Sequence, residues 1–102
     1  MLYYYNKLVR DKIIENIKTK GHQCEYKKMS KEEYRTELDK KLLEEAKEVI
    51  EAHSVEEIGD LMEVIQAIMK EHQISYEEVQ QVMEQKRNKN GAFDRLFIYK
   101  II

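Results

Sequence analysis

Four carboxylates in the stretch LLEEAKEVIEAHSVEEIGDLMEVI, residues 42 to 65, have the types and the spacing of a metal site. Glu45 and Glu48 stand three residues apart, and so do Glu57 and Asp60. On a helix each pair therefore shares a face. Spacing alone is weak, because the chain holds 20 acidic residues and Glu48/Glu51 and Asp60/Glu63 repeat the interval. Direction carries more. At about 100° per residue, Glu45 falls inside the apolar arc of Leu38, Leu42 and Val49, and Glu48 lies at its rim. On the next helix Glu57 falls between Val64 and Ile68, and Asp60 lies just outside the arc. Glu44, Glu51, Glu56 and Glu63 project to the polar side.

Burying unpaired carboxylates is costly, and four in one place repel one another. A divalent cation removes that penalty. Magnesium takes hard oxygen ligands and keeps positions for water and phosphate; manganese is the natural substitute. No histidine or cysteine accompanies the acids, which disfavours zinc. The residues also admit plainer readings. Glu57 could be the capping acid of Ser54, Glu48 a solvated rim residue, and Glu45 the partner of Lys41. Gly59, a glycine inside a helix beside Asp60, hints at a close approach there, by a ligand or by another helix.

Cationic and polar residues near both ends are candidates for phosphate contacts, since phosphate favours arginine and lysine. They are Lys7, Arg10 and Lys12 near the first helix, and Lys86, Arg87, Asn88 and Asn90 at the end of the last. Each also reads as surface charge, dipole complement or turn former. Tyr3, Tyr4 and Tyr5 suit either base stacking or a partner chain. His22, His53 and His72 sit at helix ends without metal-ligand spacing and read as structural. Cys24 lacks a base partner and reads as a small buried hydrophobe.

The elements that must position these groups are announced by their starts. Ser30, Ser54 and Ser75 are each followed three residues later by glutamate, namely Glu33, Glu57 and Glu78. Each pair is a capping-box signal. Helices are expected over about Ser30 to Ala52, Ser54 to Glu71 and Ser75 to Lys89, with Gly91 closing the last. A shorter helix is expected from about Val9 to Lys20, closed by Gly21. Residues 23–28 and 96–102 read as extended and could pair as a small ribbon. The connection at His53 and Ser54 is short, which makes the two long helices antiparallel neighbours. Glu48 and Glu57 should then lie close, with Glu45 and Asp60 a turn further along. The expected fold is an all-α antiparallel bundle of about four helices in one domain, 1–102.

Composition bounds the rest. The chain has 102 residues, 37% of them charged, with a net charge of −2, so the two signs are interspersed. A nucleic-acid polymer binder would carry a basic excess. No apolar run is long enough for a membrane span, and Met1 to Asn6 lacks the apolar core of a signal peptide. One cysteine excludes an intrachain disulfide and fits a reducing cytoplasm. Long helices in so short a chain leave apolar faces for a homo-oligomer, a dimer or a dimer of dimers.

At this point the residues match a family. EEAKE followed by EIGD resembles the paired acidic motif of MazG-like nucleotide pyrophosphohydrolases, a superfamily shared with phosphoribosyl-ATP pyrophosphohydrolases and all-α dUTPases. YNKLVRDKI is similar to the opening of a small subgroup, and KRNKNGAF resembles the segment after the last bundle helix. In two places the chain departs from the pattern. The gap from Glu48 to Glu57 is shorter than in longer MazG domains, and Ile14 stands where subgroup members often carry proline. The resemblance implies magnesium held by Glu45, Glu48, Glu57 and Asp60, and hydrolysis of the α–β phosphoanhydride of a nucleoside triphosphate to release pyrophosphate, a house-cleaning activity. Glu45 or Glu48 would orient the attacking water. The competing class is a non-catalytic helical oligomer that binds a nucleotide or a protein partner. The inward acids separate the two, because a pure scaffold has no use for a costly acidic cluster.

Overall fold

The structure, a computed structural model, describes residues 6–102. It is all-helical, with four helices among the described residues: α1 (Ile13–Thr19), α2 (Lys31–Ala52), α3 (Val55–Glu71) and α4 (Tyr76–Asn90). The three serine starts behave as their side chains dictate. Ser30, Ser54 and Ser75 sit at N-cap positions in extended backbone, and each hydroxyl accepts from the N–H three residues on. Gly91 closes α4 at φ 83°, and Gly21 follows α1 at the same φ, a left-handed region that glycine enters without a Cβ clash.

Helix α1 departs from expectation at its start. It begins at Ile13 rather than near Val9, and the start is uncapped, since the side chain of its N-cap residue, Lys12, makes no cap hydrogen bond. The orphan N–H groups of a first turn need an acceptor, and a lysine offers none. The ribbon is also corrected. Neither residues 23–28 nor 96–102 join a strand ladder. An isolated pair of strands is marginal in water without a third strand or a covering face. In the tail only Phe97 and Tyr99 meet, edge to face, with ring centroids 5.4 Å apart.

The one extensive helix–helix interface among the described residues joins α2 to α3. Their direction is antiparallel. Arg35 near the start of α2 donates to Glu71 at the end of α3, at 2.9 Å, while Glu45 late in α2 lies against residues early in α3. His53 makes the reversal in left-handed backbone, φ 50°, and its N–H returns to the Val49 carbonyl at 2.7 Å. The core between the helices is thin. Leu38 and Val64 are its buried apolar side chains, and Glu45 is buried with them. Leu42, Ala46, Val49, Leu61, Ala67 and Ile68 are half-buried. Ile58, Met62 and Ile65 of α3 and Val82 and Met83 of α4 remain exposed, as do the apolar residues of the tail. No helix among the described residues is long and apolar enough to cross a membrane.

Candidate metal centre

Helix periodicity places the acids. Seven residues, two turns, separate Leu38 from Glu45, so both point from α2 into the α3 interface. Leu38 is 3% exposed and Glu45 6%. Across the interface, α3 presents Glu57 and Asp60 from its first two turns. Glu45, Glu57 and Asp60 each offer a carboxylate oxygen, and the three oxygens lie within 4.8 Å of one another. Glu45 Oε2 and Glu57 Oε2 are buried and have no hydrogen-bond partner. An orphaned buried oxygen loses its hydration without replacement, so this pair is where a cation would be worth most. Hard carboxylate oxygens at this separation could hold an oxygen-preferring divalent cation.

Glu48 is not in the group of three. It lies half-buried at the rim and acts on Glu45. Burial pushes the Glu45 carboxyl above the ordinary value of 4.5, and contact with the like-charged Glu48 raises it further, against an opposing pull from Lys41. Glu45 is the acid of α2 that converges with Glu57 and Asp60. Its angular position on α2 aims it there.

The plainer readings can now be weighed. Lys41 does pair with Glu45, at 3.4 Å, but through Oε1, leaving Oε2 alone. Glu57 does not close a capping box. Its N–H donates to Ser54 Oγ at 3.2 Å, yet its carboxylate does not return to the Ser54 N–H and turns inward instead. Glu51, Glu56 and Glu63 are exposed, as their direction requires. Glu44 is a correction to the polar-side assignment. It is half-buried because Lys7 and Lys41 both reach it, each at 3.4 Å. Burial works to raise its carboxyl, but the charges of Lys41 and Lys7 outweigh that and hold it below the ordinary value.

The N-terminal basic residues do reach this end of the helix pair. Arg10 donates from Nη2 to Asp60 Oδ1 at 2.7 Å, and Lys7 meets Glu44. Lys12 is exposed at the N-cap of α1. Lys86, Arg87, Asn88 and Asn90 stand exposed at the end of α4, with no ion pair or side-chain hydrogen bond to the acids. Tyr3, Tyr4 and Tyr5 lie outside the described residues. His22, His53 and His72 are exposed; His53 and His72 occupy the C-caps of α2 and α3, which is the structural role expected of them. Cys24 is half-buried rather than buried. No helix of the chain packs close to Gly59, since a Cβ there would meet nothing within 4 Å.

A cleft of about 220 Å³ lies between the N-terminal segment and α2, lined by Asn6, Lys7, Leu8, Glu37, Lys40, Lys41 and Glu44. Lys41 both borders this cleft and touches Glu45, so lysines and the acid group adjoin. Lys40 and Lys41 were missed as phosphate candidates. Their signal was available, because Lys41 stands one helical turn before Glu45. No family model, curated protein or solved structure matches the chain.

Proposed function

We propose that this chain is a magnesium-dependent nucleotide pyrophosphohydrolase of the MazG-like kind, acting in a reducing cytoplasm as a homo-oligomer. The observation that carries the reading is the convergence of Glu45, Glu57 and Asp60, with the Glu45 and Glu57 Oε2 atoms buried and unpaired. A scaffold gains nothing from that arrangement, and a bound cation relieves it. Bound magnesium would supply charge for phosphate oxygens and acidify a water. Glu45, Glu57 and Asp60 would hold it. Glu48, half-buried beside Glu45, would take a proton from the attacking water. Water oxygen then bonds to the α-phosphorus, the anhydride bond breaks, and pyrophosphate leaves with the displaced electron pair.

The adjoining cleft supports a polyphosphate. Lys7, Lys40 and Lys41 line it, and such cations stabilise charge developing on a leaving pyrophosphate. Lys86, Arg87 and Asn90 would reach phosphate only from another copy or after a movement of α4. The exposed apolar side chains of α3 and α4 support self-association, since a second copy presents the same stripe. Release of pyrophosphate over a panel of nucleoside triphosphates, with and without magnesium, tests the reading. Release that depends on magnesium and is lost in Asp60→Ala is the expected result. Magnesium binding without hydrolysis of any nucleotide would replace it with a nucleotide-binding module.

A further inference from the structure

We propose that Arg10 is the resident counter-ion of the acid group, which a divalent cation must displace, and that the displaced guanidinium then holds substrate phosphate. The inference rests on the metal reading above and goes beyond it. Arg10 donates to Asp60 Oδ1 at 2.7 Å across 50 positions of sequence, a shorter contact than that of Lys7 with Glu44 at 3.4 Å. Asp60 is one of the three converging acids. Asp60 has a second oxygen besides the Oδ1 that Arg10 holds, so the contest is one of charge: two cations on one carboxylate repel. Ion and arginine therefore compete for Asp60.

The remainder of the group explains why the ion can win. The Oε2 atoms of Glu45 and Glu57 are buried without partners, so a small dication gains ligands that the Arg10 fork does not reach. The Arg10–Asp60 pair is itself weak, with side chains 60% and 43% exposed, and exposed pairs contribute little. Arg10 precedes α1 in a segment without regular structure, so its release disturbs no helix. Once released it stands next to the ion, where a phosphate bridging to that ion would sit. A guanidinium matches two phosphate oxygens at once. The exchange keeps positive charge beside Asp60 before the ion arrives and passes it to substrate afterwards.

Binding of Mn²⁺ alone, measured on the full chain by electron paramagnetic resonance, tests the competition. Arg10→Gln should bind Mn²⁺ about threefold more tightly than the wild type, the scale of an exposed ion pair. Arg10→Lys, which keeps a cation, should stay near the wild type. Arg35→Gln breaks a comparable pair about ten residues along α2, roughly 15 Å away and beyond the screening length, and should change nothing. With Mn²⁺ saturating, inorganic pyrophosphate should bind Arg10→Gln about tenfold more weakly, the loss of one charge-assisted hydrogen bond. A merely structural Arg10 would not tighten one ligand and loosen the other, and helix content by circular dichroism checks that each variant folds. Unchanged or weaker Mn²⁺ binding in Arg10→Gln, beside normal binding by the wild type, overturns the counter-ion role. Unchanged pyrophosphate binding overturns the hand-over. Absence of Mn²⁺ binding by every form, wild type included, overturns the metal reading itself and this inference with it.

Discussion

Three helix starts in this chain carry one pattern; at α2 Glu33 turns to Lys27 and the Ser30 hydroxyl, and the other two starts differ more instructively. At the start of α4, Ser75 and Glu78 form a closed capping box. The Glu78 N–H donates to Ser75 Oγ at 3.1 Å, and the Ser75 N–H donates back to Glu78 Oε1 at 3.1 Å. At the start of α3, Ser54 caps in the same way, but Glu57 withholds its half of the exchange and buries Oε2 beside Glu45 and Asp60. A cap with its acid turned away gives up a favourable contact, here for a place in a crowded negative group. Helix α4 shares no extensive interface with another helix among the described residues, and its glutamate spends its carboxylate locally. Capping motifs thus locate helix starts, while only the inward direction of the acid separates structure from site.

The largest effect should fall on turnover. Glu57→Ala, Glu48→Ala or Asp60→Ala should lower magnesium-dependent pyrophosphate release by about 10²-fold or more, since charge stabilisation by a metal is worth several kcal/mol. Glu78→Ala, Glu51→Ala and Glu63→Ala should leave the rate nearly intact, because their side chains face solvent. Equal losses in the two groups would remove any meaning from the difference between α3 and α4. Steady-state rates with matched helix content decide it.

Stability should split the two glutamates in opposite directions. Without added divalent cation, Glu57→Gln removes like-charge repulsion and lets an amide donate to a neighbouring carboxylate, for a gain of about 1–2 kcal/mol. Glu78→Ala opens the capping box and should cost about 1 kcal/mol. Thermal melts resolve such changes, since 1 kcal/mol moves the midpoint by about 4–8 °C in a domain this small. A loss of stability in Glu57→Gln would mean that its carboxylate is satisfied in solution, and the case for a cation there would fail.

The pH dependence of stability should carry the sign of Glu45. Its carboxyl is raised above the ordinary 4.5, first by burial and then by Glu48. The folded chain therefore holds that proton more tightly than the unfolded chain. The resulting stabilisation is fully present below 4.5 and is lost as pH rises through the raised value. Glu44 and Glu33 are held below their ordinary values and act in the opposite sense. The informative quantity is thus the difference between wild type and Glu45→Gln, measured by denaturant melts without divalent cation. That difference should grow in favour of the variant as pH rises from 4.5 toward neutrality. A flat difference would place Glu45 in water.

What was legible in the sequence is what local chemistry decides. Ser30, Ser54 and Ser75 located three helix starts because a hydroxyl three residues before a backbone N–H is a local fact. The inward direction of Glu45 and Glu57 was legible because the helical period is fixed. The start of α1 was misplaced because no capping side chain marks it, and residues 23–28 and 96–102 stayed unpaired because extended propensity specifies no partner. The Arg10–Asp60 contact spans 50 residues and depends on how the N-terminal segment folds back, which no local pattern contains. Glu45, expected a turn beyond Glu57, converges with it because angular position on α2 aims it inward. Lys41 reads in the sequence only as a partner for Glu45, yet it and Lys40 also border a cleft made by a segment distant in sequence.

Gly59 gives the smallest test and sharpens the difference between the two starts. It stands in the second turn of α3, one residue before Asp60, while α4 has no glycine within its span. Nothing lies within 4 Å of a Cβ built there. Within one chain, Gly59→Ala should therefore stabilise by about 0.5–1 kcal/mol through reduced freedom of the unfolded state and better helix propensity. The chain alone gives no reason for a glycine at this exposed helical position. A substrate phosphate or a second copy that approaches the α3 backbone beside Asp60 would supply one. The two effects separate cleanly. A higher melting midpoint with unchanged turnover means that open space surrounds Gly59 in the working protein as well. A higher midpoint with a raised KM means that phosphate passes there, where a Cβ obstructs it. A lower midpoint that depends on protein concentration means that another copy packs against this turn, and the bare stripe of Ile58, Met62 and Ile65 beside it is the surface that copy covers.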